Sequence, residues 1–139
     1  MGYQNIYTAG LNNVGSYEVS GVPYATGSID ASGGVLINFP TVTRWVVVHY
    51  SASDSGNPDL KLGFSENGVG SVEENYFFAM KPNTTSPRFE LKLTELALFG
   101  GDAGEQGVSV MAGLTYIPTL RLDSIGPSGS NWSGSIGVG

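Results

Sequence analysis

Phe39-Pro40-Thr41-Val42-Thr43-Arg44-Trp45-Val46-Val47-Val48-His49-Tyr50 is the longest apolar run in the chain, and its centre is built from β-branched valines. The seven residues from Arg44 to Tyr50 are too few to cross a bilayer and are rich in Val rather than Leu. Branched side chains fit a pleated surface better than a helix. The stretch therefore predicts a strand buried on both faces, in the middle of a sheet or sandwich.

Shorter strands surround it. Downstream, Ser51 to Pro58 is crowded with turn formers and predicts a loop, after which Leu60, Leu62 and Phe64 alternate inward with Lys61 and Gly63 outward. Tyr76 to Met80 predicts another strand and Lys81 to Pro87 a second loop. Arg88 to Phe99 reads as one strand with Phe89, Leu91 and Leu93 on one face. Its apolar parity then changes to Leu96 and Leu98. Because a one-residue slip flips every side chain, that change predicts a β-bulge or sharp bend near Thr94-Glu95. Gly107 to Ile117 follows, with Val108, Val110, Ala112, Leu114 and Tyr116 assigned to one face. Upstream, Ser32-Gly33-Gly34 predicts a turn, Val35, Ile37 and Phe39 share a face, and a short strand is expected around Ser16 to Pro23.

The ends differ from the middle. Residues 1–22 scatter Tyr3, Ile6, Tyr7, Leu11, Val14, Tyr17 and Val19 among Asn, Gly and Ser without a helical period. From residue 119 to 139 the pattern dissolves into Gly, Ser and Pro around Trp132. The expected organisation is an N-terminal arm over 1–22, a core over 23–118 and a Gly/Ser-rich C-terminal arm over 119–139. Neither arm holds enough apolar residues to offset its own conformational entropy, so ordering on assembly is expected. The fold class predicted is all-β: a jelly-roll-like or Greek-key β-sandwich of about seven to eight strands with extended arms.

Composition narrows the function. The chain has 139 residues, 40% hydrophobic and 13% charged, with 21 glycines and a net charge of −6. That suits one soluble domain with many turns. The six basic residues are scattered, and without a basic patch nucleic-acid binding is not expected. There are no cysteines, hence no disulfide framework or thiolate metal site. The first 43 residues hold no Lys or Arg and no continuous apolar segment, which predicts no cleaved signal peptide, no membrane anchor and folding in a reducing cytosol.

Chemistry is sparse. His49 is the sole histidine, and no Gly-x-Ser-x-Gly elbow accompanies it, so a structural hydrogen bond is the reading preferred over general-base catalysis. Loops 51–58 and 65–75, with Asp54, Asp59, Glu66, Glu73 and Glu74, could offer oxygen ligands to Ca²⁺ but lack tight D-x-D-x-D spacing. No cofactor, metal or catalytic residue is expected, and the chain reads as a non-enzyme. The aromatics assigned to the arms, Tyr3, Tyr7, Tyr17, Tyr24 and Trp132, suit an interface, where Tyr and Trp are enriched; a sugar-stacking role is the competing use.

Four stretches together, Phe39 to Arg44, Asp59 to Gly68, Ala112-Gly113-Leu114-Thr115 and Ser130 to Gly139, resemble small virion structural proteins of tailed phages, particularly those of marine and cyanobacterial hosts. The resemblance implies a capsid decoration or cement protein, on the exterior of a virion assembled in the host cytoplasm. It would bind the major capsid protein and its own copies, commonly as trimers. The interface residues expected are Tyr3, Tyr7, Tyr17 and Trp132. The alternative is a carbohydrate-binding or receptor-binding β-sandwich on a tail fibre or spike.

Overall fold

Which strands neighbour each other follows from how the chain folds back along itself. The computed structural model describes residues 14–15, 21–52, 56–64, 68–69, 77–100 and 106–119. Eight strands run in order: β1 (Val22–Ile29), β2 (Val35–Asn38), β3 (Thr41–Ala52), β4 (Leu60–Gly63), β5 (Phe78–Met80), β6 (Thr84–Thr85), β7 (Glu95–Phe99) and β8 (Gln106–Pro118). The first sheet has the order β1-β8-β3-β6 and the second β2-β7-β4-β5. All pairings are antiparallel. Four of the neighbour pairs are 1 with 8, 2 with 7, 3 with 6 and 4 with 5. That is the pattern of a long antiparallel ribbon doubled at the β4–β5 hairpin and rolled into two layers. The fold is therefore an eight-stranded jelly roll, as the sequence predicts.

The core lies between the layers. Val46, Val48 and Tyr50 of β3 and Val108, Val110, Ala112 and Leu114 of β8 face Leu60 and Leu62 of β4, Leu96 and Leu98 of β7 and Ile37 of β2. Tyr24 of β1 sits edge-on against Phe39, with ring centroids 5.2 Å apart. It belongs to the sandwich rather than to an arm, which corrects the sequence reading. β1 itself begins six residues later than the strand expected at Ser16, and residues 16–20 lie outside the described ones.

β3 is central, flanked by β8 and β6, but its two faces are not alike. Val46, Val48 and Tyr50 are fully buried, whereas Val47 is half-buried and His49 exposed. Burial on both faces, inferred from the apolar run, is thus corrected: the strand has a core face and an open face. β8 shows a second departure. Its inward parity holds through Leu114, then Thr115 and Ile117 turn in and Tyr116 turns out, 75% exposed. The cause is a slip in the β3–β8 register between Thr41 and Trp45.

Residues 88–99 also differ from the single strand predicted. Phe89 exchanges two 2.9 Å backbone bonds with Val46, and the amide of Thr43 donates to the carbonyl of Leu93 at 2.9 Å. The segment after β6 therefore continues beside β3 in the first sheet. At Thr94, whose carbonyl accepts from Phe39 N–H at 2.9 Å, it leaves and becomes β7 of the second sheet, pairing Glu95 with Asn38. Inward changes sides when a chain changes sheets, so the bend near Thr94-Glu95 is real and its cause is a corner of the sandwich. Pro40 marks the same corner on the companion chain, between β2 and β3.

Three buried hydroxyls bridge places where the ladder is irregular. Thr43 Oγ1 donates to Leu91 O at 2.6 Å and accepts from Leu93 N–H at 2.9 Å. Ser86 Oγ accepts from Val48 N–H at 2.9 Å, and Thr115 Oγ1 donates to Val42 O at 2.7 Å. Each satisfies backbone groups that would otherwise be buried unpaired. The predicted Ser32-Gly33-Gly34 turn is present, with Gly34 at φ +86°, where a side chain would be strained.

Candidate functional site

Strand alternation gives the first sheet an outward face, and the registers order it in rows. Pro23 pairs with Gly113 and Gly113 with Trp45; Ala25 pairs with Met111 and Met111 with Val47; Ser109 pairs with His49 and His49 with Thr85. Among these outward residues none is Asp, Glu, Lys or Arg.

The first row is closely packed. A Cβ added at Gly113 would lie 2.7 Å from Trp45 Cε2, nearer still to Nε1, so the indole lies against bare backbone. Gly21 approaches Gly113 from another side, where an added Cβ would be 2.6 Å from Gly113 Cα. Glycine at 113 is needed for this approach, not for a turn. The middle row is apolar and open: Met111 is 54% exposed.

The last row is polar. His49 Nδ1 and Thr85 Oγ1 are 2.7 Å apart on the surface. That is the structural hydrogen bond expected for His49. Asn83, held at φ 59°, accepts from Ala52 N–H through Oδ1 at 3.0 Å and fixes the neighbouring loop. Between the rows runs an open groove of about 410 Å³, lined among others by Ala25, Gly27, Val47, His49, Thr85 and Met111. It exists because the residues contributed by β1 are small.

The second sheet presents a different exterior. Lys61 Nζ lies 4.8 Å from the Phe77 ring centroid and 5.7 Å from that of Phe99. A smaller cavity of about 260 Å³ adjoins Gly34, Leu36, Val69 and Phe99. Near the 51–58 loop, Tyr50 donates its hydroxyl to Pro58 O at 3.0 Å, and burial, with the neighbouring Asp59 carboxylate adding to it, pushes the phenol above its ordinary value. Asp59 is paired with Lys81 at 2.9 Å.

Among the described residues no three His, Cys, Asp or Glu side chains cluster as a metal site, and no helix is long and apolar enough to cross a membrane. Tyr3, Tyr7, Tyr17 and Trp132 lie outside the described residues, as do Asp54, Glu66, Glu73 and Glu74. Sequence reading singled out His49 but missed Trp45, Met111 and Gly113. The one available signal was Gly113 inside an otherwise regular strand pattern, which indicates close approach of another group.

Comparison with known proteins adds little. No family model matches the chain, and no curated protein matches it. A solved structure from Bacillus endospore appendages, described as a novel family of disulfide-linked pili, aligns over 71% of this chain and 94% of its own at 12% identity, with a TM-score of 0.40. A likeness at that level carries no argument about function.

Proposed function

We propose that this chain is a structural virion protein, a capsid decoration or cement protein of a tailed phage, binding the major capsid protein and its own copies and stabilising the shell. The observation that carries the reading is the uncharged face of the first sheet. Interfaces between proteins have cores poor in charge, rich in Met and aromatic side chains, and rimmed by polar groups. The Trp45 and Met111 rows bordered by His49, Thr85 and Ser109 have that composition. Jelly rolls are used in viral capsid and lectin domains alike, so the fold supports the reading without selecting it. The resemblance of Phe39 to Arg44 and Ala112 to Thr115 to phage virion proteins adds the choice of assembly.

On this reading residues 1–22 and 119–139 reach neighbouring subunits, with Tyr3, Tyr7, Tyr17 and Trp132 as anchors, and trimers are the expected unit. Several small contacts per subunit then combine into firm attachment. The chain acts on the capsid exterior and performs no catalysis. Deleting residues 119–139 tests the proposal: the shortened chain keeps the cooperative unfolding of the sandwich but loses co-sedimentation with shells. A shortened chain that decorates shells at full affinity refutes the role of the C-terminal arm.

A second reading rests on the groove itself. Its volume falls in the range of ligand sites, and His49, Thr85 and Ser109 place polar groups beside apolar walls. That suits an uncharged sugar in a receptor-binding module. Screening against immobilised glycans separates the two readings, because the decoration role predicts no binder.

A further inference from the structure

We infer that the outer face of the first sheet is where two copies of this chain meet, pairing face to face about a two-fold axis, with Met111 of each copy seated in the groove of the other. The inference deepens the assembly reading above and rests on it for its biological setting.

Three observations on the molecule select a second copy as the occupant. The first is electrostatic. A chain of net charge −6 repels its own copies wherever acidic surfaces meet, and this face presents no charged side chain among its described residues. A basic or acidic partner would gain nothing from a neutral surface, whereas an identical one loses nothing.

The second is shape. A two-fold interface needs knob and hole on the same patch. Met111 is 54% exposed and borders the groove of about 410 Å³ that Ala25 and Gly27 leave open. Methionine is unbranched and adapts to an irregular cleft. Projection and recess lie side by side on two paired strands, since Ala25 is the register partner of Met111.

The third is the condition of the sheet edge. β1 is the edge strand of this sheet among the described strands. It carries Pro23, which has no amide to donate, and a register shift between Thr26 and Ile29 with Ser28 at φ 53°. Both features discourage strand addition along the edge. Contact between copies is thereby directed to the face.

Size sets the strength. Four strands about 4.8 Å apart and about 20 Å long give a plan area of about 400 Å². A standard interface buries about 800 Å² per partner, so the pairing is weak and reversible in solution and becomes firm when many copies are held on one lattice.

Sedimentation velocity of the purified full-length chain, with no shell present, tests this from about 10 μM to about 1 mM, where contacts of this size populate. The expected result is a doubling in mass from the smallest unit as concentration rises. Met111→Glu, and independently Ala25→Glu on the facing strand, abolish the doubling while the circular dichroism spectrum and unfolding midpoint stay close to those of the parent chain. Met111→Leu retains it. A parent chain that shows no doubling, charge variants that double as readily as the parent, or a groove that titrates with an oligosaccharide while the chain stays unpaired would each overturn the assignment. If pairing fails but shells still bind the chain, this inference falls and the decoration reading stands.

Discussion

Gly113→Ala is the substitution that the packing of the outer face constrains most sharply. The new methyl would lie 2.7 Å from Trp45 Cε2 and closer to Nε1, inside any allowed separation, and Gly113 is confined on its other side by Gly21. Two responses are open. If the indole stays, overpacking costs about 1–3 kcal/mol. If it swings away, a ring that buries about 200 Å² when fully enclosed loses roughly half of that, or about 2.5 kcal/mol at 25 cal/mol/Å². Both routes converge on a loss of about 2 kcal/mol. The chain has two tryptophans, so a Trp132→Phe background leaves Trp45 as the single indole reporter. Urea unfolding followed by its fluorescence should show a lower midpoint with unchanged slope, and a shifted native emission if the ring has moved. A loss below about 0.3 kcal/mol with native emission unchanged would refute the close approach of Trp45 to Gly113 and with it the described shape of the face.

Two further substitutions examine the sandwich beneath that face. Thr43→Val keeps the shape but orphans Leu93 N–H and Leu91 C=O, so a loss of about 1–3 kcal/mol is expected; Thr43→Ser, which keeps the hydroxyl and drops a methyl, should cost less, and the reverse order would contradict the hydrogen-bond assignment. Tyr50→Phe loses the bond to Pro58 O, worth about 1 kcal/mol near neutrality. It also alters the alkaline limb. The Tyr50 phenol is held above its ordinary value of 10.0, so the unfolded chain releases this proton first and stability is full below pH 10 and lost as pH rises through the folded value. Urea midpoints measured from about pH 8 to about pH 11 should fall less steeply for Tyr50→Phe than for the parent, and equal slopes would contradict the shift.

Much of the scaffold is legible locally. Alternation at Leu60 and Leu62, and at Val108 to Leu114, gives the inward faces correctly because each strand keeps one register there. The parity change at Thr94-Glu95 is legible as a bend, but its cause is not, since only the pairing of Phe89 with Val46 and of Glu95 with Asn38 shows that the chain changes sheets. β1 is weakly signalled: its inward residues are separated by Pro23, Ala25, Gly27 and Ser28, a pattern close to that of a loop. Tyr116 was assigned inward by extending a period that a register slip interrupts. The candidate site is the least legible part. His49 and Thr85, or Trp45 and Gly113, are distant in sequence and become neighbours only through the order β1-β8-β3-β6. No local period encodes that order.

The central claim, that this chain is a building part of a shell, is tested most directly by quantitative mass spectrometry of purified phage particles. The account predicts many copies, in a fixed simple ratio to the major capsid protein, released when the shell is stripped of its exterior components. A chain absent from the particles, or present in only a handful of copies on the tail, would contradict it.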